Sequence, residues 1–181
     1  RDHGAAPIED EASRMMWPLE ANETTCGPGS TLVATRAVRD WLPGALTRLG
    51  AQSLLDAPCG DRNWIRLVDL PCAYVGVDHE LSHVRRASTD GADVALLDIR
   101  HDDLPNCDVI LSRDFFQHLS MEDEALALAN MRKTGAKWIL ATCHGKVGRD
   151  CMTGAFRFIN HRAEWGEPID YVDDGKEGRI L

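Results

Sequence analysis

Two short apolar runs each stop at an acid, and the acids are about 20 residues apart, a nucleotide-site spacing. The first run is Ser53-Leu-Leu-Asp-Ala-Pro-Cys-Gly-Asp61 and the second is Tyr74-Val-Gly-Val-Asp78. A carboxylate closing the second strand of a βαβ unit can accept both hydroxyls of a ribose. A glycine after the first strand lets the backbone approach the ligand closely. The pattern therefore points to a cofactor of the adenosine type, with Asp56, Ala57, Gly60 and Asp78 around it. No G-x-G-x-x-G is present; Pro58 fills one glycine slot and Asp61 would repel phosphate, which argues against a dinucleotide.

Further chemistry-bearing groups follow other apolar runs. Asp98 closes the run 93–99, and Arg113-Asp114 and His118 follow the run 107–112. Cys143-His144-Gly145 follows the run 137–142. Arg113 and Asp114 pair with each other, or Asp114 faces a substrate. His79-Glu-Leu-Ser-His83 matches the zinc-protease pattern H-E-x-x-H. That pattern needs both rings presented from the middle of a helix, whereas His79 comes straight after a strand end and reads as part of a solvated helix start.

These groups need an alternating α/β framework to bring them to one edge. Strands are expected over 53–57, 73–77, 93–99, 107–112 and 137–142, with the fourth apolar throughout, as a central parallel strand is. Helices are expected over 32–49, capped by Ser30 or Thr31 and broken or kinked at Pro43-Gly44, over 63–69 with Trp64 and Leu67 inward, and over 120–133. The last starts at Ser120, is lined by Leu126, Leu128, Ala129 and Met131, and stops at Gly135. Residues 156–160 alternate like a strand or an ordered extension. The expected class is a mostly parallel, doubly wound, Rossmann-like sheet with helices on both faces. An N-terminal arm (1–21) precedes one domain (22–181), made of a flap (22–50), a core (51–145) and an acceptor-side tail (146–181).

Composition narrows the partners. The 181 residues suit a single domain. A net charge of −9 without any Lys/Arg cluster speaks against nucleic acid. The six cysteines form no C-x-x-C pair, which suits reduced thiols and a cytoplasmic location, and no run approaches membrane-spanning length.

Leu55-Asp-Ala-Pro-Cys-Gly-Asp61 resembles the first motif of the class I S-adenosylmethionine (SAM) methyltransferases, in their D-x-P-C-G-D branch. The resemblance continues through Val77-Asp78, Leu97-Asp98 and 108–119. It implies SAM as cofactor, Asp98 reading the adenine amino group with Ile99 beside the ring, and Arg113 in the cofactor pocket. It also implies that 22–31 is a flap over the methionine end through Gly29 and Ser30; the residues alone equally describe an ordinary capped turn. His118 occupies a slot often held by His among such enzymes, while His144 departs from their usual pattern. Two histidines at the transfer edge imply oxygen methylation with an imidazole base, His144 ranked before His118. The acidic tail, poor in aromatic residues, and the bacterial small-molecule enzymes of this branch imply a sugar or oligosaccharide acceptor. A divalent cation such as Mg²⁺ on Asp114 and a homodimer are compatible with the resemblance. The alternatives are a catalytically silent SAM-binding or partner-binding domain, and a zinc hydrolase built on His79 and His83.

Overall fold

The computed structural model describes residues 23–174 and 179–181, and of residues 163, 179 and 180 the backbone alone. The arm and its apolar cluster Met15-Met16-Trp17 lie outside the described residues. Strands β1 (Ser53–Asp56), β2 (Ala73–Asp78), β3 (Val94–Leu96), β4 (Val109–Ser112) and β5 (Trp138–Ala141) form one sheet. All its pairings are parallel, and the strand order is β3-β2-β1-β4-β5. The order reverses between β1 and β4, so a crevice opens beyond their carboxyl ends.

Alternation along the strands divides the interior in two. Leu54, Val109 and Leu111 face helix α1 (Arg36–Arg48), which contributes Val38, Leu42 and Leu46. Leu55, Val77 and Ile110 face the other side and meet Phe116 with Ala127 and Met131 of helix α3 (Met121–Met131). Helix α2 (Leu81–Ala87) packs on β2 and β3. A two-stranded antiparallel pair, β6 (Cys143–His144) with β7 (Arg179–Ile180), and the short α4 (Arg162–Trp165) complete the described elements. The α/β sheet with helices on both faces is the expected class.

Several boundaries differ, each for a local reason. Helix α1 begins at Arg36 rather than 32, because Thr31 Oγ1 accepts the Ala34 N–H at 3.2 Å and holds 31–35 in turns. It runs on through Pro43, since the buried stripe of Val38, Leu42, Ala45 and Leu46 outweighs one lost backbone bond. The expected helix over 63–69 is a single 3₁₀ turn, Ile65–Leu67; Trp64 is buried, but Leu67 is 55% exposed. Helix α3 starts where expected, with Ser120 Oγ accepting the Asp123 N–H at 3.1 Å. Its buried residues are Ala127, Asn130 and Met131, whereas Leu126 is exposed. Asn130 is tolerated inside because its amide donates to the carbonyls of Ile99 (2.9 Å) and Asp102 (2.6 Å). Residues 156–160 are an extension rather than a strand.

Candidate active-site cleft

A cleft of about 330 Å³ lies at the carboxyl edge of the sheet, lined by the ends of β1, β2 and β4 and the loops beyond them. Among its walls are Ser30, Asp56, Gly60, Asp78, Arg113, Asp114 and His118. The volume is in the range of small-molecule sites.

Asp56 closes β1 and is buried. Burial pushes its carboxyl up to about 7, opposed by the Tyr74 hydroxyl, which donates to Oδ2 at 2.9 Å and favours the ionised form. Tyr74 reaches this place because Gly76 has no side chain: a Cβ there would lie 2.9 Å from the Tyr74 hydroxyl and 3.0 Å from Cys59 Sγ. Asp78 closes β2 and accepts two backbone bonds, from Gly60 N–H (2.9 Å) and Glu80 N–H (2.8 Å). Those amides aim the carboxylate without using all its lone pairs. Gly60 has φ +55, and a Cβ there would lie 2.6 Å from Cys26 Sγ.

The segment 23–31 is fastened down onto this edge. Asp61 accepts the Thr25 N–H (2.8 Å) and the Thr24 hydroxyl (2.9 Å). Burial acts to raise the Asp61 carboxyl, but these donors hold it below its usual range. Asn63 Nδ2 donates to Glu23 Oε1 (2.7 Å) and to the Ser30 carbonyl (3.0 Å). Arg113 donates to the Gly29 carbonyl (2.8 Å) and, through two nitrogens, to Asp174 Oδ1 (3.0 and 2.8 Å). One buried guanidinium thus ties the flap to the tail, and it also lies 3.4 Å from Asp114 Oδ2. Asp114 has φ +56, a conformation few side chains adopt. Its N–H donates to Thr142 Oγ1 at 2.9 Å, and its Oδ1 accepts from Gln117 Nε2. Gly29 leaves room for it, since a Cβ at 29 would lie 2.6 Å from Asp114 Oδ2.

His118 ends the 3₁₀ turn Phe116–His118 on the same edge, ahead of α3 rather than within it. Its Nδ1 lies 2.9 Å from the Ala155 carbonyl. A carbonyl only accepts, so Nδ1 carries the hydrogen and the neutral ring keeps its lone pair on Nε2.

No family model matches the sequence, and no curated protein matches it. Solved structures do. TehB from Haemophilus influenzae superposes with a TM-score of 0.52 and 21% identity, over 71% of this chain and 50% of TehB. Magnesium protoporphyrin IX methyltransferase from Synechocystis PCC 6803, solved with bound SAM, gives 0.52 and 14% over 66% of this chain and 64% of that one. The sugar N-methyltransferase KedS8 from Streptoalloteichus sp ATCC 53650 gives 0.51 and 21% over 66% and 52%. The fold is that of the class I methyltransferases. The chain spans about half the length of TehB and of KedS8.

In this methyltransferase fold the expected residues divide into two groups. Ser30, Asp56, Gly60, Asp78, Arg113, Asp114 and His118 meet at the cleft, with Gly29 directly behind Arg113 and Ala57 buried beneath. Asp98, Ile99 and His144 do not line it. Both Asp98 oxygens accept from Arg100 (3.0 and 2.7 Å), which holds the carboxyl down at about 2. Ile99 is buried in the α3-side core. His144 is buried on β6, its Nδ1 accepting the Ile159 N–H at 3.4 Å and its ring edge-on to Phe156 and Phe158.

His79 and His83 are not presented from one helix, since α2 begins at Leu81. Their Nδ1 atoms face Asp78 Oδ1 at 3.7 and 3.4 Å. No group of three or more His, Cys, Asp or Glu side chains among the described residues is arranged to hold a metal ion. No described helix is long and apolar enough to cross a membrane. The six cysteines are free.

Sequence reasoning missed the anchoring role of Glu23, Asn63, Asp61 and Asp174, and the wall formed by Cys26, Trp64, Thr153 and Gly154. Asn63, two residues after the D-x-P-C-G-D motif, was the one available signal: a polar amide that the structure buries at a strand-to-turn junction.

Proposed function

We propose that the protein is a SAM-dependent O-methyltransferase acting on a hydroxyl of a small polar acceptor, a carbohydrate, with His118 as general base. The observation that carries this reading is the His118 ring, oriented by the Ala155 carbonyl with Nε2 basic, at a cleft that also holds two strand-end acids.

The residues fit the cofactor. Asp78 has lone pairs left for ribose hydroxyls, and Asp56 offers a buried carboxylate to the ammonium at the methionine end. A nearby cation favours the ionised carboxylate and offsets the cost of its burial. The flap 23–31, anchored through Asp61, Asn63 and Arg113, limits water at that end. Asp98, paired with Arg100, and the buried Ile99 lie outside the cleft lining. SAM, when bound, supplies a methyl group already activated on a sulfonium.

The protein's tasks are to align the acceptor and to take its proton. Alignment contributes up to about 7–11 kcal/mol in favourable systems, and a positioned base typically about 10²–10⁴-fold. His118 Nε2 would accept the acceptor hydroxyl's proton as the oxygen takes the methyl group, the S–CH₃ bond breaking with its electron pair left on the thioether sulfur of S-adenosylhomocysteine. Asp114, held at the cleft wall by Thr142 and Gln117, offers a polar group to a second acceptor hydroxyl. His144 falls behind His118 as base because its Nδ1 is already used by Ile159 N–H. The sugar N-methyltransferase KedS8, built on the same fold, supports a sugar acceptor.

The test is transfer of labelled methyl groups from SAM to a panel of pyranosides. His118→Ala should lower kcat by roughly 10²-fold or more while S-adenosylhomocysteine binds as before, and His144→Ala should keep most activity. The reverse pattern would return the base to His144.

A further inference from the structure

An exposed aromatic ring, Phe156, lies beside His118 just outside the cleft lining. Segment 150–157 is pinned to the start of α3 by its own backbone and polar groups. Gly154 N–H donates to the His118 carbonyl (2.7 Å), Arg157 N–H to the Gln117 carbonyl (2.8 Å), and Asp150 Oδ1 accepts the Met121 N–H (2.8 Å). Thr153 Oγ1 accepts the Ser120 N–H (3.0 Å), and the Ala155 carbonyl holds the His118 ring. A backbone fixed at so many points could turn its large apolar side chains inward. Instead Met152 is 83% exposed and Phe156 51%. An exposed aromatic ring held in a fixed orientation beside a cleft offers a flat apolar face to a ligand there.

The Phe156 ring is oriented as well as exposed. It meets His118, His144 and Phe158 at centroid distances of 5.9, 5.8 and 5.2 Å, with interplanar angles of 63°, 88° and 84°. These edge-to-face contacts fix the ring, and among the described residues no ring stacks flat on it. They also give the buried His144 a role: it braces the ring. The ring joins the cleft through His118, and its segment through Thr153 and Gly154, which line the cleft wall. Lys146, with Nζ 3.9 Å from the Phe158 centroid, supplies a donor close by.

We infer that Phe156 forms the acceptor subsite, on which a pyranose ring lays its C–H face while one hydroxyl reaches His118 Nε2. This inference rests on the reading of the cleft as a SAM site. A single aromatic face with polar neighbours suits a pyranose, apolar on one side and hydroxylated at the rim. A planar phenol would call for a slot closed on both sides.

The experiment is saturation-transfer NMR with methyl pyranosides and simple phenols as probes, on protein with S-adenosylhomocysteine present. The wild type should bind pyranosides through their C–H face. Phe156→Ala should weaken them by roughly three- to tenfold, the worth of one aromatic contact. Phe156→Trp should retain binding, and S-adenosylhomocysteine affinity should be the same in all variants. The subsite is overturned if Phe156→Ala binds pyranosides as the wild type does, or if the wild type binds no pyranoside or phenols alone. Failure of S-adenosylhomocysteine to bind, with pyranoside binding still lost in Phe156→Ala, would instead leave the subsite standing and remove the cofactor reading.

Discussion

At the scale of single residues, the account depends on where protons and lone pairs are. Asp56 is the clearest case, because burial pushes its carboxyl up to about 7, above the ordinary value of 3.8. A folded-state value raised in this way contributes stability below the unfolded value, and that contribution is lost as pH rises through about 7. The ligand-free protein should therefore lose stability between weakly acidic and weakly basic pH in a way that Asp56→Asn does not. Thermal denaturation at pH 5 and pH 8 checks this: the variant should melt at least about 3 °C above the wild type at the higher pH and gain little at the lower. Equal pH dependence of the two proteins would mean that Asp56 is ionised without cost. His118 and His144 give the complementary lesson. Their chain positions put both at the transfer edge, with His144 ranked first; in the structure His118 lines the cleft and faces the Ala155 carbonyl, while His144 is buried and accepts the Ile159 N–H.

At the scale of elements, what was legible was what depends on apolar runs. The five parallel strands were readable because each is an unbroken run ended by an acid, a serine or a threonine, and burial on both faces requires such runs. Helix starts and turn contents were less so, because side chains of distant segments intervene. Thr31 delays α1, and the 61–64 stretch is given over to anchoring the flap rather than to a helix. The pairing of Asp98 was hidden for a similar reason: Arg100 stands two residues on, but sequence spacing does not say that a turn folds the guanidinium back. The flap yields its own prediction. Asn63 joins Glu23 Oε1 and the Ser30 carbonyl, so Asn63→Ala removes two part-buried bonds. Its cost should be roughly 1–3 kcal/mol in chemical denaturation, accompanied by weaker S-adenosylhomocysteine binding. A variant that loses stability but binds the cofactor unchanged would show the flap to be structural only.

At the scale of the whole molecule, a chain of net charge −9 places several of its acids around one crevice, with the buried guanidiniums of Arg62 and Arg113 beside them. Asp56, Asp78 and Asp114 meet Arg113 there, an arrangement that favours a cationic ligand over a phosphate. The strand order puts that crevice at the reversal between β1 and β4, where this class of sheet binds its ligands. The central claim is that the crevice is a SAM site, and calorimetric titration with S-adenosylhomocysteine tests it most directly. The account predicts one equivalent bound by the wild type and none detectable by Asp78→Ala, whose circular dichroism stays that of the wild type. A wild type that binds nothing, or an Asp78→Ala variant that binds with unchanged affinity, would contradict it.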